Sequence, residues 1–195
     1  MQKKNTIIQT GLILCIGLLA TAISGCGSGL GQLQADLQDP DGDVRYDALK
    51  QLEQMGVNAA PAVRDLASCL SDEDPRIRYR AAKALSKIGR AASDATSELA
   101  QAVATDSDPD VRYYAAKALD QVPGSAAEEL ATLTGALNDD NAKVRYYVAK
   151  LMGKIGAPAQ IVLGDLEKLS NDDDASVRKA AENAIRRIRK KLASS

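Results

Sequence analysis

Apolar residues recur along the chain with the spacing of one helical face, and the pattern itself repeats. From Val44, apolar positions fall at i, i+4, i+8 and i+11, which predicts an amphipathic helix. Such segments align without gaps at intervals of 33 or 34 residues: VRYDALKQL from Val44, IRYRAAKAL from Ile77, VRYYAAKAL from Val111, VRYYVAKLM from Val144 and VRKAAENAI from Val177. A repeat of this period predicts an architecture of stacked units.

Turn-forming residues mark where the repeated helices begin and end. Acidic and Pro residues, such as Asp74-Pro75, precede the segments and suit helix N-termini. Gly56, Gly89 and Gly156 stand at the predicted C-caps of three units. A shorter, Ala-rich helix precedes each segment, and its predicted buried positions are Leu33, Leu37, Val63, Leu66, Leu70, Leu130, Leu133, Leu137, Leu163 and Leu166. The pattern therefore predicts two helices per unit and no strand.

The charged positions of the repeat point to a family. Each unit has an Asp six residues before an Arg: Asp39/Arg45, Asp72/Arg78, Asp106/Arg112, Asp139/Arg145 and Asp172/Arg178. Paired helices at this period, with Asp…Val-Arg in the connecting turn, resemble HEAT repeats of the phycobilisome-lyase-like type. The resemblance covers residues 30–192 and implies an all-α fold, a right-handed α-α superhelix of about five helix pairs. In the last unit Lys179 and Asn183 replace the recurring Tyr and Lys, as in a polar terminal cap.

The recurring Asp and Arg have two interpretations. The resemblance implies a hydrogen-bonded ladder between neighbouring turns, for which Arg is suited because its planar guanidinium serves two acceptors. The Asp-rich stretches 39–43, 106–110 and 171–174 leave weak calcium binding as the alternative. They lack the spaced ligands and closing Glu of the known calcium loop. Because helix N-capping explains these carboxylates more simply, we expect no bound metal.

A column of tyrosines is the candidate partner-binding site. Every Tyr of the chain lies at one repeat position or directly after it. On a helical wheel this position, and the Lys four residues later, lie away from the apolar stripe. The resemblance implies that second helices line a concave surface, and the predicted site comprises Tyr46, Lys50, Tyr79, Lys83, Tyr113, Lys117, Tyr146 and Lys150. Tyr is favoured at protein interfaces; the alternative is that the rings pack laterally against the adjacent repeat.

Residues 1–25 have the layout of a secretory signal peptide. Two Lys precede an uncharged, mostly apolar stretch over residues 7–23. Ile23-Ser24-Gly25-Cys26 resembles the bacterial lipobox, which implies cleavage before Cys26, acylation of Cys26, and a short tether over residues 26–29. An uncleaved transmembrane anchor is the alternative, although an apolar stretch of about 17 residues is at the short limit for a span.

Composition narrows the chemistry that the chain can perform. It contains no His, Phe or Trp, so the commonest general base and the commonest zinc ligand are absent. A net charge of −1 gives no broad attraction to nucleic acid. Cys69 lies in an apolar helical stretch and is expected to be a small core residue. We therefore expect a non-catalytic protein with no cofactor and no nucleic-acid partner.

The last predicted helix ends in a basic run: Arg186, Arg187, Arg189, Lys190 and Lys191. Such a run complements the helix dipole and solvates the end of a solenoid. Contact with anionic lipid headgroups is the alternative.

These features predict a lipid-anchored scaffold in the bacterial cell envelope. We expect the concave Tyr and Lys face to bind a protein or peptide, and acyl chains on Cys26 to hold the chain at the membrane. Gly27, rather than Asp, follows the Cys, which favours the outer membrane in a cell that has one. The resemblance also leaves open an accessory subunit of an enzyme of the bilin-lyase HEAT type.

Overall fold

The computed structural model describes residues 27–194 of the chain. The predicted signal peptide, the lipobox and Cys26 lie outside the described residues. The described part is built from helices: α1 (Gly27–Asp36), α2 (Gly42–Met55), α3 (Val63–Ser68), α4 (Pro75–Ile88), α5 (Thr96–Thr105), α6 (Pro109–Leu119), α7 (Pro123–Ala126), α8 (Leu130–Thr134), α9 (Ala142–Ile155), α10 (Leu163–Leu169) and α11 (Ala175–Leu192). Short 3-10 segments join several of them, and residues 27–194 contain no strand. Residues 27–29 of the predicted tether form the start of α1.

The helices form two layers of an all-α solenoid. The second helices of the units (α2, α4, α6, α9 and α11) pack each against the next, as α2 on α4 and α9 on α11. The first helices stack beside them, with α5 between α3 and α8. Each unit therefore buries its apolar side against its neighbours in the array, as a solenoid requires.

The second helices begin directly after residues whose side chains cap them. Asp41, Asp74, Asp108, Asn141 and Asp174 are the N-caps of the second helices, and each side chain accepts a hydrogen bond from a backbone N–H of the first turn. This satisfies donors that have no partner within the helix. The capping role occupies carboxylates of the Asp-rich turns, where calcium was the alternative.

Three glycines end second helices as predicted. Gly56, Gly89 and Gly156 have φ angles of 54°, 73° and 81°, in a region that side chains with a Cβ rarely enter. The chain turns sharply at each of them and enters the 3-10 segment that leads to the next first helix.

The core is made of Ala, Leu, Val and Ile, and nearly all predicted apolar positions lie in it. Ile77, Val111, Val144 and Val177 are fully buried, whereas the equivalent Val44 is 37% exposed. The difference arises because α2 begins the row of second helices in the described chain, so no preceding unit covers Val44. None of the helices between residues 27 and 194 is long and apolar enough to cross a membrane.

The packing of α9 on α11 depends on a glycine. A Cβ added to Gly153 would lie 2.7 Å from the Ala184 Cα and 3.0 Å from its Cβ. Such a contact would force the two backbones apart. Gly153 therefore lets the last second helix approach more closely than a larger residue would allow.

Candidate partner-binding face

The Asp and Arg columns form a ladder that joins each unit to the next. The Arg112 Nε–H donates to Asp139 Oδ2 at 2.7 Å, and Nη2–H donates to Oδ1 at 3.0 Å. The same guanidinium donates through Nη1 to the Asp106 carbonyl of its own unit at 3.0 Å. Equivalent bidentate pairs are Arg45–Asp72, Arg78–Asp106 and Arg145–Asp172. The predicted ladder is thus confirmed, and the Arg side chains serve structure at the turns.

Electrostatics at the turns agree with this geometry. The hydrogen bond from Arg145 lowers the pKa of Asp172, with a further contribution from the Asp174 backbone N–H. The hydrogen bond with Asp139 raises the pKa of Arg112. These shifts favour the charged forms of Asp172 and Arg112.

The tyrosines lie in one row along the second helices, which we call the tyrosine ladder, and the rings of all of them except Tyr46 form a chain of ring contacts. Ring centroids are 5.4 Å apart for Tyr79 and Tyr114, 4.7 Å for Tyr114 and Tyr113, and 5.7 Å for Tyr113 and Tyr147. Tyr146 continues the row at 5.0 Å from Tyr147. These separations and inclined planes are those of favourable aromatic pairs.

Tyr46 joins the ladder through an arginine instead of a ring. The Arg80 guanidinium lies 5.0 Å from the centroid of Tyr46 and 5.8 Å from that of Tyr79. It also donates a 2.8 Å hydrogen bond to the Tyr46 hydroxyl. A cation–π contact therefore connects the first two units, whereas ring–ring contacts connect the units farther along the chain.

All the tyrosines of the ladder are partly buried and pack against the core. The lateral packing that sequence reasoning kept as an alternative is therefore present, because Tyr114 lies on Tyr79 and Tyr147 lies on Tyr113 of the preceding unit. Each of these tyrosine residues is nevertheless partly exposed to solvent. The partner-binding role of the column stays a prediction.

The four candidate lysines have different surroundings. Lys50 is exposed, and Lys117 lies 5.9 Å and 5.7 Å from the ring centroids of Tyr113 and Tyr114. Lys83 and Lys150 instead bind carboxylates of the chain itself, Lys83 at 3.3 Å and Lys150 at 2.8 Å. These two ammonium groups are therefore already neutralised within the chain.

The carboxylates that bind them, Glu53 and Asp120, are buried, with side chains 7% exposed. Glu53 accepts hydrogen bonds from Arg80 at 2.6 Å and Lys87 at 2.7 Å. Asp120 accepts one from Lys150, and the Lys154 ammonium lies 2.8 Å from its Oδ1. Each acid therefore ties its unit to the second helix of the next.

Burial alone would raise the pKa of Glu53. The hydrogen bonds donated by Lys87, Arg80 and Lys83 outweigh burial and lower this pKa to about 2. Glu53 is therefore ionised at neutral pH, at the centre of a cluster of three cations.

Sequence reasoning did not single out the two buried acids, although a signal was present. They lie nine residues after Val44 and Val111, in the first and third units, where the second and fourth units have Ser86 and Gly153. An acid in every second unit, on the buried side of an amphipathic helix, indicates an internal ion pair.

No group of three or more His, Cys, Asp or Glu side chains that could hold a metal occurs in residues 27–194. Cys69 is buried, and burial together with the nearby Asp72 carboxylate raises the pKa of its thiol to about 11. A thiol with so high a pKa is a poor nucleophile at neutral pH. The side chains along the tyrosine ladder offer contact area, hydrogen bonds and positive charge.

Comparison with known proteins agrees with this architecture and defines the class. The profile of the HEAT repeats matches residues 32–107 and 96–186. Since these matches span most of the chain, the protein belongs to the HEAT-repeat family. None of the curated proteins matches its sequence.

Solved structures share the fold at low sequence identity. An engineered protein is 21% identical, with a TM-score of 0.71 over 84% of this chain and 80% of its own. A designed armadillo repeat protein is 19% identical, with a TM-score of 0.68 over 82% of each chain. The CpcE–CpcF complex of phycocyanin lyase from Nostoc sp. PCC7120 is 23% identical, with a TM-score of 0.57 over 80% of this chain and 98% of the matched one.

Proposed function

We propose that this protein is a non-catalytic scaffold that binds a protein partner on its second-helix layer. The observation that carries the proposal is the tyrosine ladder, in which partly exposed tyrosines from successive units form one row. Packing fixes these rings before a partner arrives, which lowers the entropic cost of binding. A designed armadillo repeat protein of similar fold has been solved in complex with the peptide (KR)4, which supports peptide binding by this architecture.

We further propose that the scaffold is lipid-anchored in the bacterial envelope. The support is the sequence Ile23-Ser24-Gly25-Cys26 after an apolar stretch with an N-terminal pair of Lys. Several acyl chains give stable anchoring, whereas one gives only marginal binding. Gly27 after the Cys favours the outer membrane where the cell has two membranes, and the concave side of the solenoid would then face components of the envelope.

Replacing Cys26 tests the anchor. In Cys26→Ser no thiol is available for diacylglyceryl transfer, so we expect the protein to move from the membrane to soluble fractions. Cys69→Ser is the matched control, because Cys69 is buried in the fold and its loss should leave the distribution unchanged. Mass spectrometry of the wild-type N-terminus supplies the direct check. An unmodified N-terminus at a residue other than Cys26 overturns the proposal of lipidation.

Partner capture tests the binding face. A photo-crosslinking residue at Asp110, which is exposed and lines a groove with Tyr46 and Tyr79, should give a defined adduct in cells. Tyr113→Ala should weaken capture by about 1–3 kcal/mol, because interface hot spots favour Tyr at the centre.

The controls for this experiment separate binding from stability. Val103→Ala removes buried volume from α5 in the first-helix layer, so it lowers stability without touching the ladder. The same crosslinker at Glu98, also on α5, should give no adduct. Equal loss of capture in Tyr113→Ala and Val103→Ala, after correction for the folded fraction, means that the ladder does not contact the partner.

An accessory subunit of a bilin lyase is the second candidate. The fold shared with the CpcE–CpcF complex of phycocyanin lyase favours it. An exported lipoprotein would be in the wrong compartment for that role, so anchoring and lyase function exclude each other. A pigment that co-purifies with the protein, or adducts that carry a bilin, would favour the lyase role over the envelope scaffold.

A further inference from the structure

The tyrosine ladder ends at an alanine. In each interior unit, the residue after the recurring Tyr position lies on the Tyr of the preceding unit: Arg80 on Tyr46, Tyr114 on Tyr79, and Tyr147 on Tyr113. In the last unit this position is Ala180. Tyr146 therefore contacts the ring of Tyr147 on one side and has only a methyl group at the place where a ring would follow.

A pocket of about 380 Å³ lies at this place, between α9 and α11. Its lining includes the Tyr146 ring, the methyl groups of Ala180 and Ala184, and the side chains of Lys179 and Arg187. The volume is within the range of pockets that hold small ligands or single side chains. The recess therefore lies where the repeat pattern would place the ring of the next tyrosine.

The lining of this pocket is positively charged. Lys150 and Lys154 line it as well, but both are bound to Asp120. Lys179 and Arg187 form no ion pair with any residue of the described chain, and no carboxylate lines the pocket. By contrast, the cations around the first units are bound by Glu53. The C-terminal end of the ladder therefore offers cations that lack an anion.

We propose that this pocket binds an aromatic side chain of an acidic peptide segment. The aromatic ring packs against Tyr146, in the place that Tyr114 and Tyr147 fill in the earlier units. Neighbouring carboxylates of the peptide pair with Lys179 and Arg187, which supply charge complementarity. The inference rests on the proposed function, since it assigns a partner chemistry to one end of the same face.

The shape of the pocket favours a peptide over a membrane surface. Anionic headgroups at a bilayer can pair with exposed Lys and Arg, but a flat surface does not enter a recess floored by a tyrosine ring. A projecting aromatic side chain fills such a recess, and it buries apolar area there. The arrangement thus selects for a ring and for negative charge together.

The test uses the full-length chain in neutral detergent micelles and fluorescein-labelled peptides. The probe Glu-Glu-Tyr-Glu-Glu should bind, and Glu-Glu-Ala-Glu-Glu should bind at least tenfold more weakly. Ala180→Tyr places in the pocket the residue that the two preceding units carry at this position. We expect it to weaken binding of the tyrosine probe at least tenfold, with circular dichroism and melting unchanged.

Charge variants separate the pocket from general electrostatic attraction. Arg187→Glu should weaken the tyrosine probe at least tenfold. Arg90→Glu makes the same change in net charge at an exposed residue outside the pocket and should change binding less than twofold. If both variants weaken binding equally, bulk charge explains the effect and the pocket is not a site.

Two further outcomes overturn the inference. One is equal binding of the tyrosine and alanine probes, which would mean that binding does not depend on a ring in the pocket. The other is that Ala180→Tyr weakens binding of dihexanoyl-phosphatidylglycerol but does not weaken binding of either peptide. That result assigns the pocket to a lipid headgroup. If partner capture still depends on Tyr113 in these cases, the proposed function remains supported although this inference has failed. The failures of the two proposals are therefore distinguishable.

Discussion

Arg112→Ala is expected to lower the free energy of unfolding by about 2–3 kcal/mol. The substitution removes both hydrogen bonds to the Asp139 carboxylate, whose side chain is only 7% exposed, and leaves that charge without its cation. It also removes the donor to the Asp106 carbonyl, so two neighbouring turns lose their link. Urea unfolding at neutral pH measures the change.

Arg178→Ala is the matched control. Arg178 occupies the same position in the last unit and donates to the carbonyls of Asp172 and Asp173, but in the described chain no following unit supplies a carboxylate. Its loss should cost about 1 kcal/mol or less. The difference between the two variants isolates the inter-unit ion pair. If both variants lose the same stability, the arginines of the Asp–Arg ladder contribute to stability only through their hydrogen bonds to backbone carbonyls.

Glu53→Gln is expected to remove a large part of the pH dependence of stability. The folded-state pKa of Glu53 is about 2, lowered from an ordinary value near 4.3. A lowered pKa contributes stability above the unfolded value, and this contribution is lost as the pH falls toward the folded value. Between about pH 6 and pH 3 the wild type should therefore lose about 2 kcal/mol more than Glu53→Gln.

The experiment consists of urea unfolding curves at several pH values in that window. Glu98→Gln makes the same chemical change at an exposed residue of α5 and should follow the wild type. At neutral pH the Glu53→Gln variant should be the less stable protein, because Arg80, Lys83 and Lys87 lose their anion. Parallel pH curves for the wild type and Glu53→Gln would contradict the ion cluster.

The features predictable from sequence are those that recur in most or all of the units. The period near 33 residues, the apolar stripe, the Asp N-caps and the Gly C-caps each depend on residues within one helix or one turn, and the structure has them where the pattern indicates. The Arg ladder was also predictable, because Arg112 and its equivalents keep a fixed distance from Asp. Val44 departs from the pattern because burial depends on a preceding unit.

The features that sequence reasoning missed depend on what the adjacent unit supplies. A helical wheel gives the direction of Tyr113, but it does not show that Tyr147 of the next helix lies on that ring. It likewise gives Lys83 as accessible, whereas a buried Glu53 in the preceding unit binds it. A helical wheel describes a single helix, whereas these contacts depend on the relative rotation and the spacing of two neighbouring helices.

The alternation of Glu53, Ser86, Asp120 and Gly153 along the second helices has a mechanical consequence. A solenoid behaves as a spring whose compliance is the sum of the compliances of its seams. The seams crossed by Glu53 and Asp120 carry clustered ion pairs, and the seam at Gly153 carries close backbone contact. At Ser86 the seam carries, at the equivalent position, a neutral hydrogen bond from Gln121 to the Ser86 carbonyl, beside the Arg78–Asp106 pair and the Tyr79–Tyr114 contact. At this position the resistance of the seams to stretching is therefore ionic at Glu53 and Asp120 and neutral at Ser86 and Gly153, in alternation along the array.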